Sequence, residues 1–399
     1  MIHFEDMYAW VKDLPIVDWH NHLDMKMLAG DRPLGSLYET WVGSDPYKHR
    51  AMRICGENER VVTGDAPEDE KWAAWTRTLP KLVGNPLFAW ARMELVWLGL
   101  GNMERDWWRG IENVSLSGWT PSRMLEKFQV EYLSPCVGPD FDLSTRIARV
   151  SPSLRMNAGD EVAVETLGRF HEAGCRVVDV SVDDVSSLDP SRLGTVSAFA
   201  AAHGWTMLLH LGALRETSAR LRAAAGPAGG FAGMRSPVDP AAVAAFLDAL
   251  EGARNPFGRV GTSLPRTILM SLNPEAHAQL AVLSGSFVEA GVPGKVQLGP
   301  AWWWCDHEAG IRDVLEKNAA YGVLSTFVGM TTDSRSLLSL VRHDFFRRVL
   351  CRWVAEKVAF GEFPDDESLL RPMLAGICHG NARRMLMADR MVISDKEEC

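Results

Sequence analysis

Pro15-Ile16-Val17-Asp18-Trp19-His20-Asn21-His22-Leu23-Asp24 reads as a short apolar strand running into two histidines one residue apart. Side chains alternate along a strand, so His20 and His22 share one face. Two imidazoles at the carboxyl end of a first barrel strand suit a divalent metal ion, with the remaining positions left to a carboxylate and solvent. A merely polar strand end accounts for the pair equally well, so the rest of the chain has to decide.

Upstream, residues 1–14 place Phe4, Met7, Trp10 and Val11 at helical spacing, an amphipathic helix that delivers the chain to this strand. Downstream the pattern changes. Residues 34–127 show apolar helical faces broken by Gly and Pro and no convincing alternation, which reads as a helical insertion capping one end of the fold. From 128 onward strand and helix patterns alternate. Strands are expected at 128–133, 146–151, 175–182, 206–212, 267–272, 295–298 and 327–331, with helices at 160–173, 190–203, 240–253, 274–290 and 307–321. Adding 16–18 gives eight strands, the count of an α/β (β/α)8 TIM barrel, in which every strand presents its carboxyl end at one mouth. Residues 222–234, rich in Ala and Gly, read as a mobile loop able to act as a lid. Helices at 366–387 close the chain, and the charged tail beyond Ser394 is expected to fray. The 399 residues read as one domain.

Composition narrows the function. A hydrophobic content of 47% supports a large core. The net charge of -9, with both signs interspersed, argues against a nucleic-acid partner, and no apolar run is long enough to span a bilayer. Seven cysteines, an odd number without a Cys-x-x-Cys pair, fit a reducing cytoplasm. The Trp-rich insertion offers apolar surface for a homo-oligomer.

Polar residues then fall at the expected strand ends. Leu209-His210-Leu211-Gly212-Ala213-Leu214-Arg215 puts a histidine and an arginine at the mouth. Thr331-Thr332-Asp333-Ser334-Arg335 puts a carboxylate just past the last strand, which neighbours the first in a closed ring. Asp333 is therefore a candidate third ligand, its alternative use being a helix N-cap. Arg155 stands at the same mouth, and arginines converging on a cleft suit a carboxylate. Trp302-Trp303-Trp304 is open to packing or to substrate contact. Cys305-Asp306-His307 looks like a nucleophile cluster, but loop neighbours point apart and a catalytic thiol is disfavoured.

Several blocks then combine: Ile16-Val17-Asp18-Trp19-His20-Asn21-His22, Asp45-Pro46-Tyr47-Lys48-His49-Arg50, Thr63-Gly64-Asp65-Ala66, Leu209-His210-Leu211-Gly212-Ala213-Leu214-Arg215, Thr332-Asp333-Ser334-Arg335-Ser336 and Arg342-His343-Asp344-Phe345-Phe346-Arg347-Arg348. In this order, across nearly the whole chain, they resemble the uronate isomerase (glucuronate isomerase) family of the amidohydrolase superfamily. The resemblance implies an aldose-ketose isomerase acting on a small acidic sugar, glucuronate to fructuronate and galacturonate to tagaturonate. It implies one divalent ion, zinc first and iron, manganese or nickel as alternatives, held by His20, His22 and Asp333 with His210 as ligand or hydrogen-bond partner. On the same resemblance Tyr47 and Arg335 face the reacting carbons, Asp333 or water activated by the ion is the base, Tyr47 polarised by Arg335 is the proton donor, Arg155 binds the uronate carboxylate, and Arg215, His49 and Trp303 meet the substrate. This chain departs from the family where a histidine before the tyrosine is Pro46, an Asp-His pair is Asp179-Val180, an Asp-Asp-Pro run is Cys136-Val137-Gly138-Pro139-Asp140, and an Asn-rich segment is Glu216-Thr217-Ser218-Ala219. Those departures keep a hydrolase or lyase acting on another carboxylated or sugar-like metabolite as the alternative.

Overall fold

Strand β1 is Ile16–Asn21, buried along its whole length. Ahead of it the helix Phe4–Val11 tucks Met7 and Val11 into the core. The protein is described by a computed structural model over residues 1–99, 107–109, 111, 114–258 and 261–386. In chain order there follow β2 (Val130–Val137), β3 (Ser153–Asn157), β4 (Val177–Val182), β5 (Thr206–Leu211), β6 (Ala213–Leu214), β7 (Gly233–Met234), β8 (Arg266–Ser271) and β9 (Val296–Leu298). Seven of them form one sheet, ordered β1-β2-β3-β4-β5-β8-β9, and every neighbouring pair is parallel. The short β6 and β7 pair antiparallel apart from it.

Parallel neighbours need crossovers, and helices supply them. Val164–Glu172 links β3 to β4, Pro190–Ala202 links β4 to β5, and Pro240–Gly252 precedes β8. The last two open with Pro at the first turn and an Asp cap, Asp189 or Asp239, whose carboxylate accepts a backbone N–H that would otherwise lack a partner. Glu308–Tyr321 follows β9. The apolar strands β4 and β5, covered on both faces, read as near-continuous Val and Leu runs.

The structure corrects the expected strands in two places. Residues 146–151 are not a strand of the sheet. Arg149 is left-handed (φ 66), Pro152 lacks a donor, and Val150 makes only isolated bridges to Leu133 and Ile147. The ladder instead runs through Ser153–Asn157, so Arg155 projects from β3 itself rather than from a loop beyond it. Residues 327–331 form no ladder either, because Gly329 (φ 75) breaks the extended run and lies against the Ile377 carbonyl, where a Cβ would collide. The sheet therefore has seven strands and not the eight expected. The segment still runs beside β1: His20 N donates to Thr331 Oγ1 at 2.8 Å, Asp333 N to His20 O at 3.1 Å, and His22 N to Ser334 O at 2.8 Å.

The 34–127 region contains the helices Pro46–Ile54, Glu59–Val62, Glu68–Thr78, Pro86–Trp97 and Pro121–Lys127, with no strand among the described residues. The expected helix 274–290 is interrupted, its α-helical part being His277–Val282. Part of 222–234 continues the helix Ala219–Ala225. Near the end, Arg342–Phe360 and Glu367–Ala375 both pack against the first helix, Phe4–Val11, and the tail beyond Ser394 lies outside the described residues. No helix among the described residues is long and apolar enough to cross a membrane.

Candidate metal centre

The sequence of β1 alternates so that His20 and His22 leave the sheet on the same side, where segment 331–334 meets it. The Nε2 atoms of both histidines lie 3.1 Å from a single oxygen, Oδ1 of Asp333. The donor atoms of the three residues all fall within 4.8 Å of one another. Asp333 Oδ2 is buried and has no hydrogen-bond partner among the described residues. Asp333 also adopts a left-handed backbone (φ 49), which a non-glycine residue holds only when its surroundings impose it. Burial works against its charge, but hydrogen bonds and charge from His20 and His22 outweigh it and hold the carboxyl far below its usual range. Two imidazoles and an ionised carboxylate, with one buried oxygen unused, form a donor set that fits a divalent cation.

Behind this cluster stands Asp179, fully buried on β4. Its carboxylate pairs with Arg155, sits 2.7 Å from His210 Nδ1, 4.0 Å from His20 Nδ1 and 3.3 Å from Cys136 Sγ. Cys136 is in turn 3.1 Å from His20 Nδ1. Burial works against the charge of Asp179, yet the Arg155 guanidinium paired with it, with His210 and His20 beside it, holds its carboxyl well below the usual range. His20, Cys136 and Asp179 also bring their donor atoms within 4.8 Å of one another, but there Asp179 already holds the Arg155 guanidinium. His210 packs on His20, with ring centroids 4.6 Å apart, and on Trp302 at 4.7 Å. Burial pushes its imidazole down to about 4 despite Asp179, so it is neutral, and its Nε2 has no partner among the described residues.

A cavity of about 330 Å³ opens from the cluster. That is the lower end of the size range for small-molecule sites. His22, Tyr47, Arg155, His210, Arg215, Trp303, Asp333 and Arg335 all line it. His20 sits immediately behind Asp333. Tyr47 is placed by Asp45, whose carboxylate caps the helix Pro46–Ile54 by accepting Tyr47 N at 2.8 Å and also binds Lys48 Nζ at 2.6 Å. Its ring packs edge-on to Trp304 at 5.4 Å and Trp90 at 6.3 Å. The guanidinium against that ring belongs to Arg342, 5.9 Å from the centroid, which also donates to Thr332 O at 2.7 Å and pairs with Asp306. Burial, with the charge of Asp333 adding to it, pushes the phenol well above its ordinary range, so Tyr47 stays protonated.

Arg215 is braced by Asp183 at 2.9 Å and Ser181 at 2.7 Å, and its guanidinium lies 5.1 Å from the centroid of the Trp303 ring. Arg335 reaches the cavity with no ion-pair partner among the described residues. His49 is off the cavity wall, buried one turn beyond Pro46, its Nε2 without a partner among the described residues. Cys305 is buried against the Leu272 carbonyl at 3.1 Å, away from the cavity. The sequence reading missed Asp179, Cys136 and Arg342 as site residues. Asp179 had left a signal: one carboxylate inside Val177-Val178-Asp179-Val180, where an unpaired charge would be too costly to bury. Arg342 left none, because only the packing of a distant helix brings it to Tyr47.

Comparison with known proteins agrees along nearly the full length. The sequence profile of the glucuronate isomerase family matches residues 3–135 and 158–386. A uronate isomerase of Geobacillus thermodenitrificans is 33% identical, the match covering 96% of each chain. One from Caldicellulosiruptor bescii is 32% identical over 94% of each. Among solved structures, a uronate isomerase from Thermotoga maritima superimposes with a TM-score of 0.82 at 23% identity, covering 96% of this chain and 97% of that one. A glucuronate isomerase from Caulobacter crescentus gives 0.80 at 19% identity, covering 97% and 94%. At these identities the superpositions speak to the fold.

Proposed function

The chain belongs to the glucuronate isomerase family, and on that premise we propose that it interconverts the aldose and ketose forms of hexuronates, glucuronate with fructuronate and galacturonate with tagaturonate. One arrangement carries the reading: the His20–His22–Asp333 cluster opens into a cavity whose other walls hold Tyr47 and the arginines 155, 215 and 335. A uronate differs from a neutral sugar by its carboxylate, which guanidinium groups grip through paired donors. Arg155 takes that group, Arg215 with Trp303 beside it meets the rest of the sugar, and Arg335 faces the reacting carbons; their shared place on the cavity wall supports this.

His20, His22 and Asp333 would hold one divalent ion, zinc first among those the donors accept, with His210 as ligand or hydrogen-bond partner. When bound, such an ion supplies positive charge for the oxyanion that develops on the substrate. In the reaction the hydrogen on C2 leaves as a proton and is returned to C1, while the proton on O2 passes to O1, through an enediol. Atoms and electrons balance without a co-reactant. Asp333, ionised and with Oδ2 uncommitted, is the base at C2. Tyr47, kept protonated by burial, handles the proton at oxygen.

Two architectural readings go with this. Segment 327–334 fills the eighth place of a closed barrel, supported by Val328 N donating to Gln297 Oε1 beside β9 at 2.9 Å and by its bonds to β1. Residues 34–127 serve as a helical cap within a single domain, supported by the delivery of Tyr47 to the cavity. Incubating metal-loaded protein with glucuronate or galacturonate and following ketose formation tests the function. No turnover of either sugar with the ion bound would refute it.

A further inference from the structure

Asp18 stands two residues before His20 on β1, fully buried and away from the cavity wall. Five donors converge on its carboxylate. Oδ1 accepts from Thr332 N at 2.7 Å, Thr331 Oγ1 at 2.9 Å and His343 Nε2 at 3.3 Å. Oδ2 accepts from Thr332 Oγ1 at 2.8 Å and Asn21 Nδ2 at 2.9 Å. These donors bracket the His–Asp cluster from both sides. Thr331 and Thr332 lead directly into Asp333. Asn21 sits between His20 and His22, and its own Oδ1 accepts from Leu23 N at 3.2 Å. Thr331 closes the loop between them: its hydroxyl receives His20 N–H at 2.8 Å and offers its single proton to Asp18 or to His20 O at 2.6 Å.

A buried carboxylate is tolerated when its oxygens are occupied, and here five donors fill its acceptor sites, about four in number. It cannot move without releasing several bonds together. Segment 331–334 needs such an anchor, because Asp333 is left-handed at φ 49 and that strain has to be held in place from outside. Arg342 grips the Thr332 carbonyl from the other side at 2.7 Å, whereas Asp18 lies on β1 itself and its carboxylate is bonded to both Thr331 and Thr332.

We propose that Asp18 is the positioning residue of the metal centre: without touching ion or substrate, it sets the distance of Asp333 from His20 and His22. This role rests on the metal reading of that cluster, so its test reads metal binding rather than turnover. Co²⁺ affinity by chelator competition, together with the visible band that reports coordination geometry, is measured on the full chain. Asp18→Asn keeps the volume but turns one oxygen into a donor facing donors. It should weaken Co²⁺ binding about 10–100-fold and shift the band, while the metal-free protein still unfolds cooperatively. Thr332→Val removes one hydroxyl and should weaken binding several-fold, and Thr332→Ser should restore it. If Asp18→Asn does not fold, the Thr332 pair decides. Unchanged affinity and band in folded Asp18→Asn, or equal affinities for the two Thr332 variants, overturns the role. Failure of the unaltered chain to take up Co²⁺ overturns it together with the metal reading.

Discussion

Asp333 and Arg335 are two residues apart and face one cavity, yet they are held in opposite ways. Asp333 is buried, left-handed, bonded through its backbone to β1 and through its carboxylate to two histidines. Arg335 is exposed and has no ion-pair partner among the described residues. The same contrast divides the site as a whole. The junction of β1 with 331–334 is a network of short polar bonds in which nearly every group has an assigned partner. The facing wall joins loop 227–232 to the helix Pro46–Ile54 by side chains reaching for backbone: Arg50 to Ala232 O at 3.4 Å, and Arg53 to Gly229 O. There Gly230 (φ 84) lies so close to the Pro46 carbonyl that no side chain could stand in its place. The spacing of the His–Asp cluster is thus fixed by many bonds, while the facing wall leans on a few side-chain contacts to loop backbone.

Substitutions on each side should separate these jobs. The largest effect belongs to Asp333→Asn, which should lower kcat/KM for glucuronate by about 10³-fold or more and reduce bound metal, the loss appearing in kcat. A variant that kept its kcat and metal content would break the contrast. Tyr47→Phe should come next, with kcat down about 10²-fold and KM changed little. Its metal content should match the parent, which places the loss after binding. Arg335→Met, on the open side, should act chiefly on KM, raising it roughly 10-fold as one charge-assisted contact is lost. An equal fall in kcat would mean that Arg335 belongs with the fixed chemistry.

A last expectation, on a different scale, concerns acid stability and leaves turnover aside. Burial pushes the His49 imidazole down to about 4, against about 6.5 in an unfolded chain. A pKa depressed on folding means the neutral form is the one the fold accepts. Its contribution is intact above pH 6.5 and is lost as pH falls from 6.5 toward 4, on the order of 3 kcal/mol in total. Urea midpoints measured across that window should fall less steeply for His49→Gln than for the parent. Identical slopes would show that the helix bearing Tyr47 is indifferent to His49.

The local chemistry of the chain was enough to announce β1 and its paired histidines, because a period-2 apolar run ending in His-x-His is a property of neighbouring residues. Asp333, His210 and Arg215 were legible because each falls within or just past an apolar run that reads as a strand, whereas Tyr47 was legible only through the family resemblance. Strand β3 was misplaced, because a left-handed Arg149 and the donor-less Pro152 shift a ladder that alternation alone put at 146–151. Segment 327–331 looked like a strand by composition and is not one, since contact with Ile377 bends it at Gly329.

Sequence by itself thus determined an α/β chain with a metal-competent pair of histidines and a basic, aromatic cavity. Only tertiary structure decided that Arg342, from a helix far along the chain, stands against Tyr47. It alone placed Asp179 beneath both His20 and His210, and tied Asp18 to the residues before Asp333. These contacts join positions tens to hundreds of residues apart, and the energy of burying a charge is settled by what surrounds it in space, which no stretch of neighbouring residues specifies.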